Sequence, residues 1–531
     1  MTIMADDVPP PPERTSPQAS ASPPPPWGPS GVALAPPPTT PPVPPAPASA
    51  FAVAHTEFWA DRRPVPRSTL LLVALAGVAG GAWLVGHRLG LGAALVGALV
   101  WAAAVPALIR RRAVGDLVTV ALSVALLGVV AISDAGWLIA VCVTAAAGLG
   151  AVAATSSRTA PAILGSGVSW LLGVIRGLPW LARRARGLGA RRRSVLVAVR
   201  SVAITALLLA VFGMLFASAD AVFASYLPEL ELDLLPARLV VGVLVAVAAA
   251  SLAHLALAPP GWSDIPLPQA RAARRGEWLL PVLALDALVV AFVVVQIGAL
   301  LGGHRHVLQT EGLTYAEYAR EGFAQLMVVT ALTLVVVAVA ARRAPRATAR
   351  DRLVSRVALA ILCVGTLGVV ASALRRMDLY VEAFGLTRLR VFVVVSEVLL
   401  AVVLVLVMVA GVRWRGRWLP RAVVQVAGAA MLALALMNPD ALIVRHNTTA
   451  DLDIPLDIAY LRGLSADAVP AVDRLDEPLR SCVLQRMAVR APGGPADWNL
   501  ARDRAARALA AGDPVEPAGS PCYPLYGNEA P

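Results

Sequence analysis

A helical run of about 20 apolar residues is long enough to cross the ~30 Å hydrocarbon layer of a membrane. This chain carries one such run after another between residues 69 and 437. In lipid every backbone N–H and C=O must be bonded within its own segment, so successive runs of this kind fold as a bundle of transmembrane helices. The expectation is an all-α polytopic bundle of eleven spans, near 69–87, 89–109, 116–133, 136–155, 201–219, 238–258, 278–301, 323–341, 357–374, 391–412 and 418–437. With 58% hydrophobic and 15% charged residues and a mean hydropathy of +0.70, a conventional soluble core is excluded. Residues 161–182 are apolar but are broken by Arg176 and Pro179 and carry Trp170 and Trp180. That pattern predicts an interfacial helix on the cytoplasmic face, in a segment reaching to about residue 193.

All 46 basic residues are Arg, because the chain contains no Lys. A P-loop lysine, a Schiff-base lysine and a kinase-type lysine are therefore excluded. The Arg residues form short clusters between apolar runs rather than a basic stripe, which reads as membrane topology and not as a nucleic-acid surface. Arg110 to Arg112, Arg158 to Arg200, Arg271 to Arg275, Arg342 to Arg356 and Arg413 to Arg421 fall in alternate loops. Retention of positive charge on the cytoplasmic side then predicts a multi-pass plasma-membrane protein with its N-terminus inside and, after eleven spans, its C-terminus outside. Residues 1–60 are rich in Pro and Ala and predict a disordered cytoplasmic tail.

Residues 438–531 carry thirteen acids against nine Arg and predict a small, helical, extracytoplasmic domain. Leu464 to Asp467 reads as a capped helix start, and 497–511 as a helix. In an oxidising exterior Cys482 and Cys522 are a candidate disulfide, alongside the alternative of two free thiols. Cys142 and Cys363 lie in apolar runs and read as packing residues.

Two polar segments interrupt the apolar region, 304–321 and 375–390, each containing Gly-Leu-Thr and each leading into an apolar run. Thr314 and Glu317 have capping-box spacing, and Tyr315 and Tyr318 suit the membrane interface. These residues with Arg320, Arg376, Asp378, Tyr380, Arg388 and Arg390 are the candidate ligand or partner contacts. The second segment carries Arg on a face where Arg is otherwise scarce, so either its neighbours Asp378 and Glu382 neutralise it or it meets an anionic lipid or envelope protein. Helix capping alone also accounts for both Gly-Leu-Thr sites. His304 and His306 have no further ligand nearby, so no metal site is expected. Asp286 and Glu397 are the candidate intramembrane acids, as a proton or cation path or as structural groups, with Arg390 or Arg376 as possible partners for Glu397.

His-Glu-x-x-His, Cys-x-x-Cys, Gly-x-Ser-x-Gly and a dinucleotide-binding glycine pattern are absent, so no catalytic residue or cofactor is expected and enzymatic activity is left open. The motifs Gly312-Leu-Thr-Tyr-Ala-Glu-Tyr-Ala-Arg-Glu-Gly-Phe323, Arg376-Met-Asp-Leu-Tyr380, Gly385-Leu-Thr-Arg-Leu-Arg390, Asn438-Pro-Asp-Ala441, Asp457-Ile-Ala-Tyr-Leu461 and Leu464-Ser-Ala-Asp-Ala-Val-Pro470 resemble an uncharacterised domain-of-unknown-function family of bacterial, actinobacterial-type multi-pass membrane proteins. The resemblance spans roughly residues 200–475 and implies an integral membrane protein, without an activity to carry over. Transport or sensing in the cell envelope is the first expectation. A membrane scaffold binding envelope partners and a lipid-directed transferase are the alternatives. The oligomeric state is not legible in the sequence.

Overall fold

The computed structural model describes residue 56, residues 66–111, 113–187, 208, 212, 234–263, 265, 275–301, 323–345, 347–414, 416–487 and 493–515. Among the described residues the chain is helical, with no strand. Eleven helices among the described residues are long and apolar enough to cross a membrane. The helices α1 (Arg67–Leu84), α2 (Leu91–Arg110), α3 (Val114–Ile132), α4 (Gly136–Ala154), α5 (Ala160–Gly187) and α6 (Leu235–Leu257) precede α7 (Arg275–Leu301), α8 (Phe323–Arg343), α9 (Ala349–Phe384), α10 (Arg388–Arg413) and α11 (Leu419–Leu436). Ten of the eleven coincide with an apolar run read from the sequence. The eleventh is the Ala160–Gly177 stretch of α5, which the sequence reading laid on the interface. The expected 201–219 span lies outside the described residues, as does the 1–60 tail apart from Thr56.

The helices alternate in direction. The turns α2–α3, α4–α5, α8–α9 and α10–α11 gather at one end, together with Arg110, Arg158, Arg342, Arg343 and Arg413, which is called here the basic end. There Arg111 Nη2 donates to Leu255 O at the end of α6, and Arg421 of α11 pairs with the fully buried Asp116 of α3. The turns α1–α2, α3–α4 and α9–α10 and the end of α11 gather at the opposite end, the cap end. Helix α6 starts beside the last turn of α1, where Gly81 faces Arg238 O, and ends at the basic end beside Arg111. The first turn of α1 and the residues after α11 thus emerge at opposite ends.

Without a hydrophobic force between helices in lipid, close packing of small residues does much of the work. Gly77 and Gly81 of α1 face Gly242 of α6, and a Cβ built on Gly242 would come 2.8 Å from Gly77 O. Some polar side chains inside the bundle are bonded across helices, as where Trp101 Nε1 donates to Ser123 Oγ (2.9 Å) and Ser123 in turn to Ala146 O (2.8 Å). Helices α7, α8, α9 and α10 share one core around Leu362, Val370 and Leu404. The packing that joins this group to α1–α6 runs mainly through α10 and α11.

After α11 come α12 (Pro439–Thr449), α13 (Ile458–Arg462), a 3-10 turn (Ala466–Ala468), α14 (Val469–Val472), α15 (Leu479–Leu484) and α16 (Leu500–Ala511). Their apolar residues Ile443, Leu461, Val472 and Cys482 form one continuous core with Leu126, Leu138, Cys142 and Leu434 of the spanning helices. The Leu464–Asp467 signal does not cap a helix with a side chain, because the Ser465 hydroxyl is engaged elsewhere.

Candidate functional site

The second polar segment of the sequence is not a loop. No Gly or Pro interrupts the chain between Ser372 and Phe384, so α9 continues to Phe384 and the turn shrinks to Gly385–Thr387. Gly385 sits at φ 72°, where a side chain is strained, and its Cβ position lies 2.7 Å from Asn447 Oδ1. Asn447 closes the turn by accepting from Leu386 N (2.6 Å) and donating to Leu386 O (3.0 Å). Thr387 caps α10 by accepting from Arg390 N, as its position before the apolar run implies.

Arg375, Arg388 and Arg390 of this segment bond to groups of the protein itself. Arg375 pairs with Asp378 (2.5 Å) and approaches Glu382 (3.9 Å) on an exposed face. Arg390 donates to the carbonyls of Phe384 and Gly385 and lies over the Tyr380 ring at 4.2 Å. Arg388 makes a bidentate bond to Asp440 on α12, a residue from outside the segment. The guanidinium of Arg390 is thus directed away from Glu397, the partner considered for it. Thr314, Tyr315, Glu317, Tyr318 and Arg320, with His304 and His306, lie outside the described residues.

Asp440 is the centre of a network that the sequence reading did not single out. Asn438, at φ 50°, caps α12 and donates to Asp467 O, and Pro439 occupies the first turn without an N–H to satisfy. This delivers Asp440, fully buried, to Arg388 and to the N–H (2.9 Å) and hydroxyl (2.7 Å) of Ser465. Burial would raise the Asp440 pKa, but the bonds from Arg388 and Ser465 outweigh it and hold the carboxyl below its ordinary value. Asp467 accepts from Asp134 N (2.7 Å), Ser133 Oγ (3.3 Å) and Ser465 Oγ (3.0 Å). It has no cation among these partners, so burial, with help from the Asp440 charge, raises its pKa. The Tyr460 hydroxyl accepts from Arg388 N (2.8 Å).

The same domain holds the other two turns of the cap end. Arg502, 3% exposed, donates to Asp134 Oδ1, to Leu89 O and to Asp497 O. Asn499 donates to Val130 O and Ser133 O at the end of α3. In the tight α1–α2 turn, Leu91 N and Gly92 N donate to Trp498 O and Ala496 O, and Asp497 accepts from Arg88 N. Cys482 is disulfide-bonded, Cys142 and Cys363 are free thiols, and Cys522 lies outside the described residues. Asn438, Asp440, Tyr460, Ser465 and Asp467 all fall within the motifs quoted above, and their signal was a dense polar sequence immediately after the last apolar run.

Deeper in the bundle stand Asp286 on α7 and Glu397 on α10, 5% and 0% exposed. None of their four carboxylate oxygens has a hydrogen-bond partner among the described residues. Glu397 shares the helical stripe of Val393, Ala401 and Leu404, which packs against α8 and α9. Asp286 lies near Cys363 of α9. Among the described residues no group of three His, Cys, Asp or Glu could hold a metal ion.

A bundle of spanning helices, closed at one end by a polar clasp and carrying two unpartnered acids inside, defines an integral membrane protein of unknown function. The model of the family described as Domain of unknown function (DUF4153) matches residues 121–475, two-thirds of the chain. The protein belongs to the DUF4153 family. No curated protein and no solved structure matches the chain.

Proposed function

We propose that this protein transports or senses a small solute or ion in the cell envelope, with Glu397 and Asp286 as the groups that take up a proton or cation. The observation that carries this reading is that both carboxylates are buried and unpartnered. A carboxylate at mid-span costs roughly 2.5–3.5 kcal/mol or more unless a proton or cation neutralises it, so such acids mark proton and ion routes. The basic end faces the cytoplasm of a plasma membrane and the cap end faces outside, an orientation supported by the Arg distribution. Cys482 and Cys522 then form a disulfide in an oxidising compartment.

The test is a hydrophobic carbodiimide, which reacts with a protonated carboxyl in an apolar setting, applied to the full chain in vesicles. Labelling at Glu397 and Asp286 that declines as pH or sodium concentration rises is expected. Absence of label at both sites, or labelling insensitive to pH and cations, would overturn the reading. A second reading, a membrane scaffold, is favoured by the rigid tie between the cap domain and three turns. It predicts that E397Q and D286N leave cellular function intact while clasp variants abolish it.

A further inference from the structure

A cavity of about 470 Å³ lies between α8, α9 and α10 at the basic end. Its walls are apolar, with Leu334, Ala338, Ala360, Cys363, Gly411 and Trp414 among them, and Arg356 is the charged residue that lines it. The space exists because small residues line facing helices. The volume falls in the ~300–1,000 Å³ range of small-ligand sites. At the same end, Arg342, Arg343, Arg413 and Arg417 are exposed, and no carboxylate pairs with them or with Arg356 among the described residues. Two acids at this end are engaged elsewhere: Asp351 is buried and holds Thr348 in a capping box, and Asp116 pairs with Arg421. Trp414 ends α10 in the left-handed region at φ 52°, a conformation that a bulky residue rarely adopts. That turn leaves its indole lining the cavity.

We propose that this crevice binds one anionic membrane lipid, with an acyl chain between α8, α9 and α10 and the phosphate at Arg356. An apolar slot with a basic mouth matches an amphiphile that has a negative head. From Arg356 to Cys363 the slot runs seven residues along α9, about 10 Å at 1.5 Å per residue. It therefore takes an acyl segment and not a headgroup alone. Arg356 meets the phosphate at the level where the other four guanidiniums sit, and anionic lipids enrich there by electrostatic attraction. The site is separate from the cap-end network and does not depend on the transport reading.

The experiment is native mass spectrometry of the full chain in non-ionic detergent, with phosphatidylglycerol or phosphatidylcholine of identical acyl chains added. One phosphatidylglycerol retained per chain is expected, preferred about fivefold, the factor equivalent to roughly 1 kcal/mol for one basic side chain. R356Q removes the preference while leaving lipid retention. A360F, at a position exposed at the crevice, fills the slot and removes retention of both lipids. Equal retention of the two lipids by the unaltered chain, or an unchanged preference in R356Q, would overturn the proposal. Displacement by glycerol phosphate would overturn it too, because the site would then be one for a soluble phosphate. If A360F fails to fold, phosphatidylglycerol with brominated chains provides the second measurement. It quenches a fluorescence component that W414F lacks, and an identical quench in W414F overturns the proposal.

Discussion

Arg388 and Asp440 meet through two parallel hydrogen bonds, Nε to Oδ1 at 2.9 Å and Nη2 to Oδ2 at 2.6 Å, joining the first turn of α10 to the first turn of α12. Asp440 is fully buried whereas Arg388 is 31% exposed. The bond therefore matters less for what it adds than for what its removal leaves behind, a buried carboxylate without its cation. Arg388→Ala is expected to destabilise the chain by ~2–4 kcal/mol, below the ~3–5 kcal/mol of a fully buried pair because water reaches one partner. Adding Asp440→Ala to it should cost less than the sum of the two single changes. Thermal unfolding of the detergent-purified variants checks both expectations.

The two acids of this network give opposite pH dependences. The Asp440 pKa is lowered on folding, so its contribution is present above the ordinary carboxylate value of about 4 and is lost as pH falls through the depressed value. The Asp467 pKa is raised, so the folded state holds its proton more tightly and stability declines as pH rises from about 4 through the raised value. Asp467→Asn, which keeps an acceptor for Asp134 N, should raise the melting temperature at pH 7. That gain should shrink as pH approaches 4. A gain that grows on acidification would contradict the assignment.

The contact between α1 and α6 gives a steric prediction. Gly242→Val would drive a Cβ to within 2.8 Å of a backbone oxygen, which cannot rotate away, and should cost ~1–3 kcal/mol by forcing the helices apart. Gly128→Ala, where a Cβ would meet nothing within 4 Å, is the matched control and should be neutral or slightly stabilising. Their unfolding midpoints in detergent provide the comparison.

Orientation can be read with reporter fusions. Alkaline phosphatase joined after Ala450, in the turn that follows α12, should be active, and the same fusion after Arg350 in the first turn of α9 should be inactive. The reverse pattern would place the basic end outside.

Much of the architecture was legible because the bilayer imposes one length and one backbone solution on every span. Ten apolar runs, from 69–87 to 418–437, became helices with ends shifted by a few residues, apart from α9. There hydropathy marked only 357–374, because it sees the apolar middle while the helix extends in both directions through polar turns: Thr348 caps it at one end, and Gly385 is the first residue able to end it at the other. The residues that matter in the clasp were the least legible. Arg388 stood out as a misplaced charge, yet its partner Asp440 is 52 positions away. Nothing local in Asp440, Ser465, Asp467 or Arg502 announces pairing with turns formed up to 413 positions earlier. Asp286 and Glu397 could be found directly, since an acid in an apolar run is conspicuous wherever it packs.

The clasp also sets an order of events. A ribosome delivers α1 to α4 to the membrane long before it makes Asp467, Asn499 and Arg502, so the α1–α2 and α3–α4 turns wait with unpaired polar groups while the remaining helices insert. The last helices then close three turns at once and act as a completion check on the whole bundle. A chain that stops after Leu436 has all its spans and none of the closing bonds, which gives quality-control proteases a uniform mark of unfinished assembly.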